Sequence, residues 1–389
     1  MKRHLLLTWL AIIFATPALA HHGGGSFELN KTVSFPMARL TKMEFVNPHS
    51  WLYFEVIDAD GRVTKHRCEM RSAHVLRRSG WSPDLFKIGE RIDITASPDR
   101  ADPASCYLQT IMFANGTRMD RYGQYVKAAD GITEVRGPIK DVNVNRPLRR
   151  PSGEPNISGD WAPEQLVMAD PRGVGGGLVR LGTIANATPG QRAGGGAGRR
   201  GAPPPGPRLY GGTTLTDAGE KAAAAFTQQD NPRFRCETTS IVFDWTFDGP
   251  VNRITQNKDT ILLEYGQRNL KRTIYMNQKE HAAGIKPSRA GHSIGRWDAD
   301  TLVVDTIGFL PGVLNAPVRH SEKLHVVERF TLDPKTMKLT RQYEAEDPIY
   351  LKGKYSGGDE IQPADASYTE DKCKEQGFID YSKQQAGKK

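Results

Sequence analysis

From Ile241 onward the chain reads as one short strand after another, and no other feature restricts its fold so strongly. The segments Ile241 to Phe247, Val251 to Gln256, Thr260 to Tyr265, Lys271 to Met276, His292 to Trp297, Thr301 to Thr306, Lys323 to Thr331 and Lys338 to Glu344 run six to nine residues each. Turn sequences punctuate them at Asp248-Gly249, Asn257-Lys-Asp259, Asp298-Ala-Asp300 and Asp333-Pro334. Short strands at hairpin spacing close on one another in sequence order. Eight of them predict an antiparallel, lipocalin-like eight-stranded barrel or sandwich, large enough to hold one small ligand.

The first part of the chain carries a different pattern. Strand candidates at Val33 to Val46, Trp51 to Ile57 and Val63 to Met70 precede a short helix at Arg71 to Ser79, ended by Gly80. Two more strands follow at Arg91 to Ala96 and Tyr107 to Phe113. Three strands, a helix and two strands is the order of a small OB-like barrel. The fold class is therefore mainly all-β. The expected division is a small barrel over 21–119, a connector over 120–157 and a second barrel over 158–389. A Gly/Pro-rich stretch at 171–212, with GVGGG, GGGAG and PPPGP, lacks the apolar residues to offset its ordering entropy and is expected to be a disordered insertion. A helix candidate follows it at Thr216 to Thr227, with Thr216 or Asp217 as its cap.

Residues 1–20, MKRHLLLTWLAIIFATPALA, have a charged start at Lys2 and Arg3, an apolar middle and a small-x-small site at Ala18-Leu19-Ala20. That is the pattern of a secretory signal peptide cleaved after Ala20. The expected location is periplasmic or secreted. With 38% hydrophobic residues and a mean hydropathy of −0.53, no apolar run outside that start reaches membrane-spanning length, which excludes a polytopic membrane protein. The net charge of +9 drops to +7 without Lys2 and Arg3, and much of the excess lies in Arg192 to Arg208. With no basic helix to track a phosphate backbone, nucleic acid is not an expected partner; a small-molecule ligand is. Oligomeric state is left open.

Four cysteines split two and two between the halves of the chain. In an oxidising compartment the economical pairing is Cys68 with Cys106 and Cys236 with Cys373, although four cysteines allow two other connectivities. None has the C-x-x-C spacing of a redox or zinc motif.

Chemistry-bearing residues gather in two places. Cleavage after Ala20 leaves His21 at the amino terminus, where its free amine and ring nitrogen chelate Cu(II), and His49 in Asn47-Pro48-His49 is a candidate further nitrogen. The bland alternative is a polar terminus whose histidines follow the cleavage site by chance. In the second half, strand alternation places His292 with Arg296, and Val303 with Asp305. It also places His320, Glu322, Leu324, Val326, Glu328 and Phe330 on one face, with His325 and Arg329 on the other. If those faces point into a barrel, His292, Arg296, Asp305, His320 and Glu322, with Glu328, supply a base, an orienting carboxylate and a guanidinium for a developing anion. Buried ion pairs or a wet outer face explain the same residues without catalysis, and His325 reads as a partly buried surface histidine. No nucleophile elbow, P-loop, zincin or dinucleotide fingerprint occurs.

Three readings follow. The first is an exported protein that binds a small, partly apolar ligand in a barrel pocket. The second is an exported hydrolase, lyase or isomerase working by His/Asp/Glu acid–base chemistry. The third is copper binding at the mature terminus.

His21-His22, Glu44-Phe-Val-Asn-Pro-His-Ser-Trp51 and Leu76-Arg-Arg-Ser-Gly-Trp81 together resemble a bacterial family of secreted domains of unknown function. That family begins H-H-S and carries W-x-N-P-H-x-W and L-x-R-x-G-W. This chain differs by Gly23 for the serine and Phe45 for the first tryptophan. Ser158-Gly-Asp-Trp161, Arg272-Thr-Ile-Tyr-Met276 and the run from Gly291 to Phe309 resemble a second uncharacterised secreted bacterial group, with Asp298-Ala-Asp300 in place of its usual E-G-D turn. The resemblances imply a secreted protein of two β-rich domains and no particular activity.

Overall fold

The computed structural model describes residues 27–121, 125–127, 146–168, 178–180 and 208–375. The expected signal peptide, His21 and most of the Gly/Pro-rich stretch lie outside them.

The small barrel is built from β1 (Val33–Glu44), β2 (Trp51–Ile57), β3 (Val63–Glu69), α1 (Ala73–Arg78), β4 (Arg91–Pro98) and β5 (Ser105–Met112). Antiparallel pairs β1–β2, β2–β3, β1–β4 and β4–β5 leave β3 and β5 to meet in parallel, which closes five strands in the OB-like order. In that parallel seam Cys68 lies opposite Cys106, and the two form a disulfide. Two short strands, β6 (Thr117–Asp120) and β7 (Tyr125–Lys127), extend the sheet beyond β5. Alternate residues Leu52, Phe54, Ile92 and Ile94 point inward onto Leu76, Trp81 and Phe86, so the period-two pattern becomes one apolar core.

The large barrel has nine strands. In the first part of it β8 (Gly159–Pro163) precedes a small separate pair, β9 (Leu166–Met168) with β10 (Leu178–Arg180), and α2 (Asp217–Ala224). Thr216 caps α2 by accepting from the Gly219 amide. Then come β11 (Asn252–Gln256), β12 (Thr260–Glu264), β13 (Lys271–Tyr275), β14 (His292–Asp298) and β15 (Thr301–Ile307). A side hairpin of β16 (Gly312–Asn315) and β17 (Val318–His320) interrupts the wall before β18 (His325–Leu332), β19 (Leu339–Glu346) and β20 (Tyr355–Pro363). The closed order is β11-β12-β13-β14-β15-β18-β19-β20-β8.

Three details depart from the up-and-down reading. β13 and β14 run parallel, with Ile274 opposite Ser293. β8 and β20 complete the wall, the latter in spite of Gly357 and Gly358. The segment Ile241 to Phe247 is a series of turns inside the barrel rather than a strand. Ile241, Val242 and Trp245 of that plug are buried. Its carbonyls find side-chain donors: Arg341 serves Ile241 and Val242, the Tyr265 hydroxyl also serves Ile241, and Asn252 serves Trp245. A buried irregular segment is stable only with such partners.

The wall beneath the plug carries a buried ionic chain. Glu328 binds both Arg272 and Arg341, and Arg341 also binds Asp359. Arg272 further donates to Ser293 and Thr306, each at 2.8 Å. Buried side chains of the wall and the plug thus occupy the part of the barrel around Glu328.

Residues 364–374 form a strap between the two barrels. Ala364 and Tyr368 donate to Asp160, and Arg78 of α1 grips Asp365 together with the carbonyls of Pro163 and Gly249. Asp371 accepts from Asn47 of the small barrel at 2.7 Å and from Arg268 of the large one at 2.7 and 2.9 Å. Cys373 next in line is bonded to Cys236, the second disulfide that the two-and-two split predicts.

Candidate functional site: a histidine–aspartate cluster on the barrel wall

The site follows from strand alternation and one long connection. On β14 the residues Ser293 and Gly295 point inward, so His292, Ile294 and Arg296 point outward. On β15 Leu302, Val304 and Thr306 point inward and Asp305 outward; on β18 Val326, Glu328 and Phe330 point inward and His325 outward. Register places Asp305 between Ile294 and Val327, so His292 and His325 are its diagonal neighbours on either side. Diagonal partners on one face stand about 7–8 Å apart, within reach of an imidazole, and His325 makes that reach to Asp305 whereas His292 turns to another partner.

The connection between β13 and β14 supplies that partner. Parallel strands cannot be joined by a tight hairpin, so residues 276–291 make a long crossover, and His281 sits on it. His281 Nε2 lies 3.0 Å from Asp305 Oδ1, and its Nδ1 lies 2.8 Å from His292 Nδ1. His325 Nε2 lies 3.0 Å from the same Asp305 oxygen. Tyr275, at the end of β13, stacks on the His292 ring at 5.2 Å. Gly291 sits directly before His292 at φ +68°, where a Cβ would meet Thr306 Cγ2 at 2.7 Å and the Ile307 carbonyl at 2.9 Å, so the chain can turn into the site only as glycine.

Burial and the hydrogen-bond partners assign charges and tautomers to the cluster. The hydrogen bond from His325 holds the Asp305 carboxyl below its ordinary range, against the opposing effect of burial, and His281 adds to the lowering. Asp305 in turn raises the His325 pKa. Burial, and then the neighbouring His281, lower that of His292, which favours the neutral ring. An ionised carboxylate only accepts, so His281 donates from Nε2 and presents a lone pair at Nδ1. His292 then donates from Nδ1, and its own Nε2 carries the free lone pair. The side chains of Asp305 and His325 are 33% and 39% exposed, so the cluster opens to solvent.

The remaining expected residues are placed elsewhere. Arg296 shares the outward face of His292 but is exposed further along the strand. His320 is buried on the side hairpin, where its Nδ1 meets the Ser321 carbonyl at 3.1 Å and burial lowers its pKa. Glu322 is exposed in the turn before β18, and Glu328 belongs to the interior ionic chain. The expected pocket within the barrel is thus divided by the wall itself: His292 and Asp305 meet on its outside, and Glu328 lies inside. His325, set aside from sequence as a surface residue, joins the first two. His281 carried no sequence signal, because a loop residue has no period. His49 is held by Glu69 at 2.7 Å in the small barrel, whereas its expected partner His21 lies outside the described residues.

A second feature is a hollow of about 200 Å³ at the barrel mouth. Phe243 and Phe247 of the plug, Tyr343, Asn315 and Asp359 line it.

A search of curated proteins finds no match to the chain. Residues 10–106 match a family of unknown function, DUF6152. The similarity thus spans the small barrel as far as Cys106, and the barrel that bears the histidines lies wholly beyond it.

Proposed function

We propose that the chain is an exported enzyme that carries out acid–base chemistry on a small molecule, a hydrolysis, elimination or isomerisation, at the outer wall of its large barrel. One observation carries this reading: Asp305 accepts from His281, whose other nitrogen meets His292, in an unbroken carboxylate–imidazole–imidazole line open to solvent. His292 Nε2 is the base. When it takes a proton, the resulting imidazolium is stabilised through His281 by the carboxylate. His325 steadies Asp305 from the other side. Two disulfides support export to an oxidising compartment.

The test is turnover of a panel of small esters, lactones and β-hydroxy carbonyl compounds by the wild type, His292→Ala and His281→Ala. Loss of about 100-fold or more in both variants, with unchanged thermal stability, is expected. Full turnover in either variant ends the assignment.

A second reading rests on the mouth hollow. Its aromatic lining beside Asn315 and Asp359 suits a small, partly apolar ligand. Native mass spectrometry of protein from the cell envelope checks it: a bound organic species that Phe243→Ala releases supports the hollow, and a species unaffected by that change removes it.

A further inference from the structure

We propose that the facing nitrogens of His281 and His292 form a binding site for a divalent transition-metal ion of the zinc class, with Asp305 as the outer partner of His281. The inference rests on the reading above only for the location of the site, and it adds a ligand that the acid–base reading does not require.

Two imidazole nitrogens aimed at each other across 2.8 Å share either one proton or one cation. The carboxylate behind His281 favours the cation. It holds the Nε2 proton, leaves Nδ1 as a lone pair and fixes the ring plane, which is how metal-ligating histidines are oriented by an outer carboxylate. Tyr275 fixes the plane of the other ring by stacking. Zinc–nitrogen bonds of about 2.0–2.1 Å at a tetrahedral angle need the two nitrogens roughly 3.3 Å apart. A small swing of His281 on its loop supplies that difference.

Among the described residues no third histidine, cysteine or carboxylate completes a set of three protein ligands. The ion therefore keeps water in its other positions, and the site is open and exchangeable. Loading moves the His292 proton from Nδ1 to Nε2, the nitrogen that acts as base in the metal-free protein. Metal binding and the imidazole base are thus alternatives at one site, and zinc switches the base off.

The experiment is calorimetric titration of the metal-stripped full chain with zinc chloride near neutral pH, with thermal unfolding of every variant as the folding control. The wild type is expected to take up one more zinc equivalent than either His281→Ala or His292→Ala. Asp305→Asn is expected to keep that equivalent with about 10- to 100-fold weaker affinity, an effect that loss of a direct ligand does not give. If His292→Ala unfolds, His292→Gln replaces it. Equal zinc uptake by the wild type and both histidine variants overturns the site, as does no uptake by the wild type. Zinc uptake without turnover on any substrate upholds the site and counts against the enzyme.

Discussion

Asp305 governs its neighbours because one of its oxygens accepts from two imidazoles at once. His325 gains a charge partner from this, so its folded pKa stands above the unfolded value of about 6.5. The stability from that bond is complete below about pH 6.5 and is lost as pH rises through the raised folded pKa. Histidine titration by NMR is expected to show His325 returning toward its ordinary value in Asp305→Asn; an unshifted titration removes the bond. Asp244 shows the opposite sign. Burial in the plug pushes its carboxyl up to about 7 from 3.8, outweighing a hydrogen bond from the Thr239 amide and the nearby Arg268 and Arg233. Ionising it in the fold costs about 4 kcal/mol, a penalty that grows from about pH 4 to pH 7 and is constant above. Asp244→Asn is therefore expected to raise the melting temperature at pH 8 and to leave it nearly unchanged at pH 4. At this scale the sequence was informative about kind and silent about place. His292 and Asp305 were visible as alternating residues, but alternation does not say which side of a wall is wet, and nothing marked His281.

The large barrel shows where strand reading succeeds and where it stops. Seven of the eight expected segments lie in its wall, because β-branched and aromatic alternation there coincides with burial. Ile241 to Phe247 has the same composition and becomes the plug, since Trp245 and the turn bonds from Ser240 to Asp244 suit an irregular segment once Arg341 satisfies its carbonyls. That dependence is distributed over distant parts of the chain and leaves no local trace. Arg341→Met tests it. Removing the guanidinium strands Asp359 and the Val242 carbonyl and takes one of two partners from Glu328 and the Ile241 carbonyl, and urea unfolding is expected to show a loss of about 3–5 kcal/mol. A change below 1 kcal/mol would mean that the plug stands without it. Gly291→Ala acts on another element, the turn into β14. It is expected to cost about 1–3 kcal/mol through its positive φ and its clash with Thr306, and to impair the His281–His292 pair as well.

Both barrels were legible as separate patterns in the sequence, but their attachment was not, because it is made by polar residues far apart in the chain. Asp371 lies 324 residues from Asn47 and joins it to Arg268. Burial works to raise the Asp371 pKa, but the hydrogen bond and charge of His74 and the charge of Arg268 outweigh it and hold the carboxylate ionised. Asp371→Ala leaves Asn47 and Arg268 buried without their acceptor. It is expected to lower the melting temperature by several degrees or to split unfolding into two transitions in calorimetry, and a single unchanged transition would show that the strap contributes nothing to docking. The strap also gives the chain a direction in time. During synthesis the small barrel emerges first and can close on its own contacts, whereas the segment that meets its Asn47 and Arg78 follows all nine strands of the large barrel. A chain cut before residue 364 keeps the contacts of Arg78 with Pro163 and Gly249 but loses those of Asp365 and Asp371, so both walls can close before most of what joins them exists.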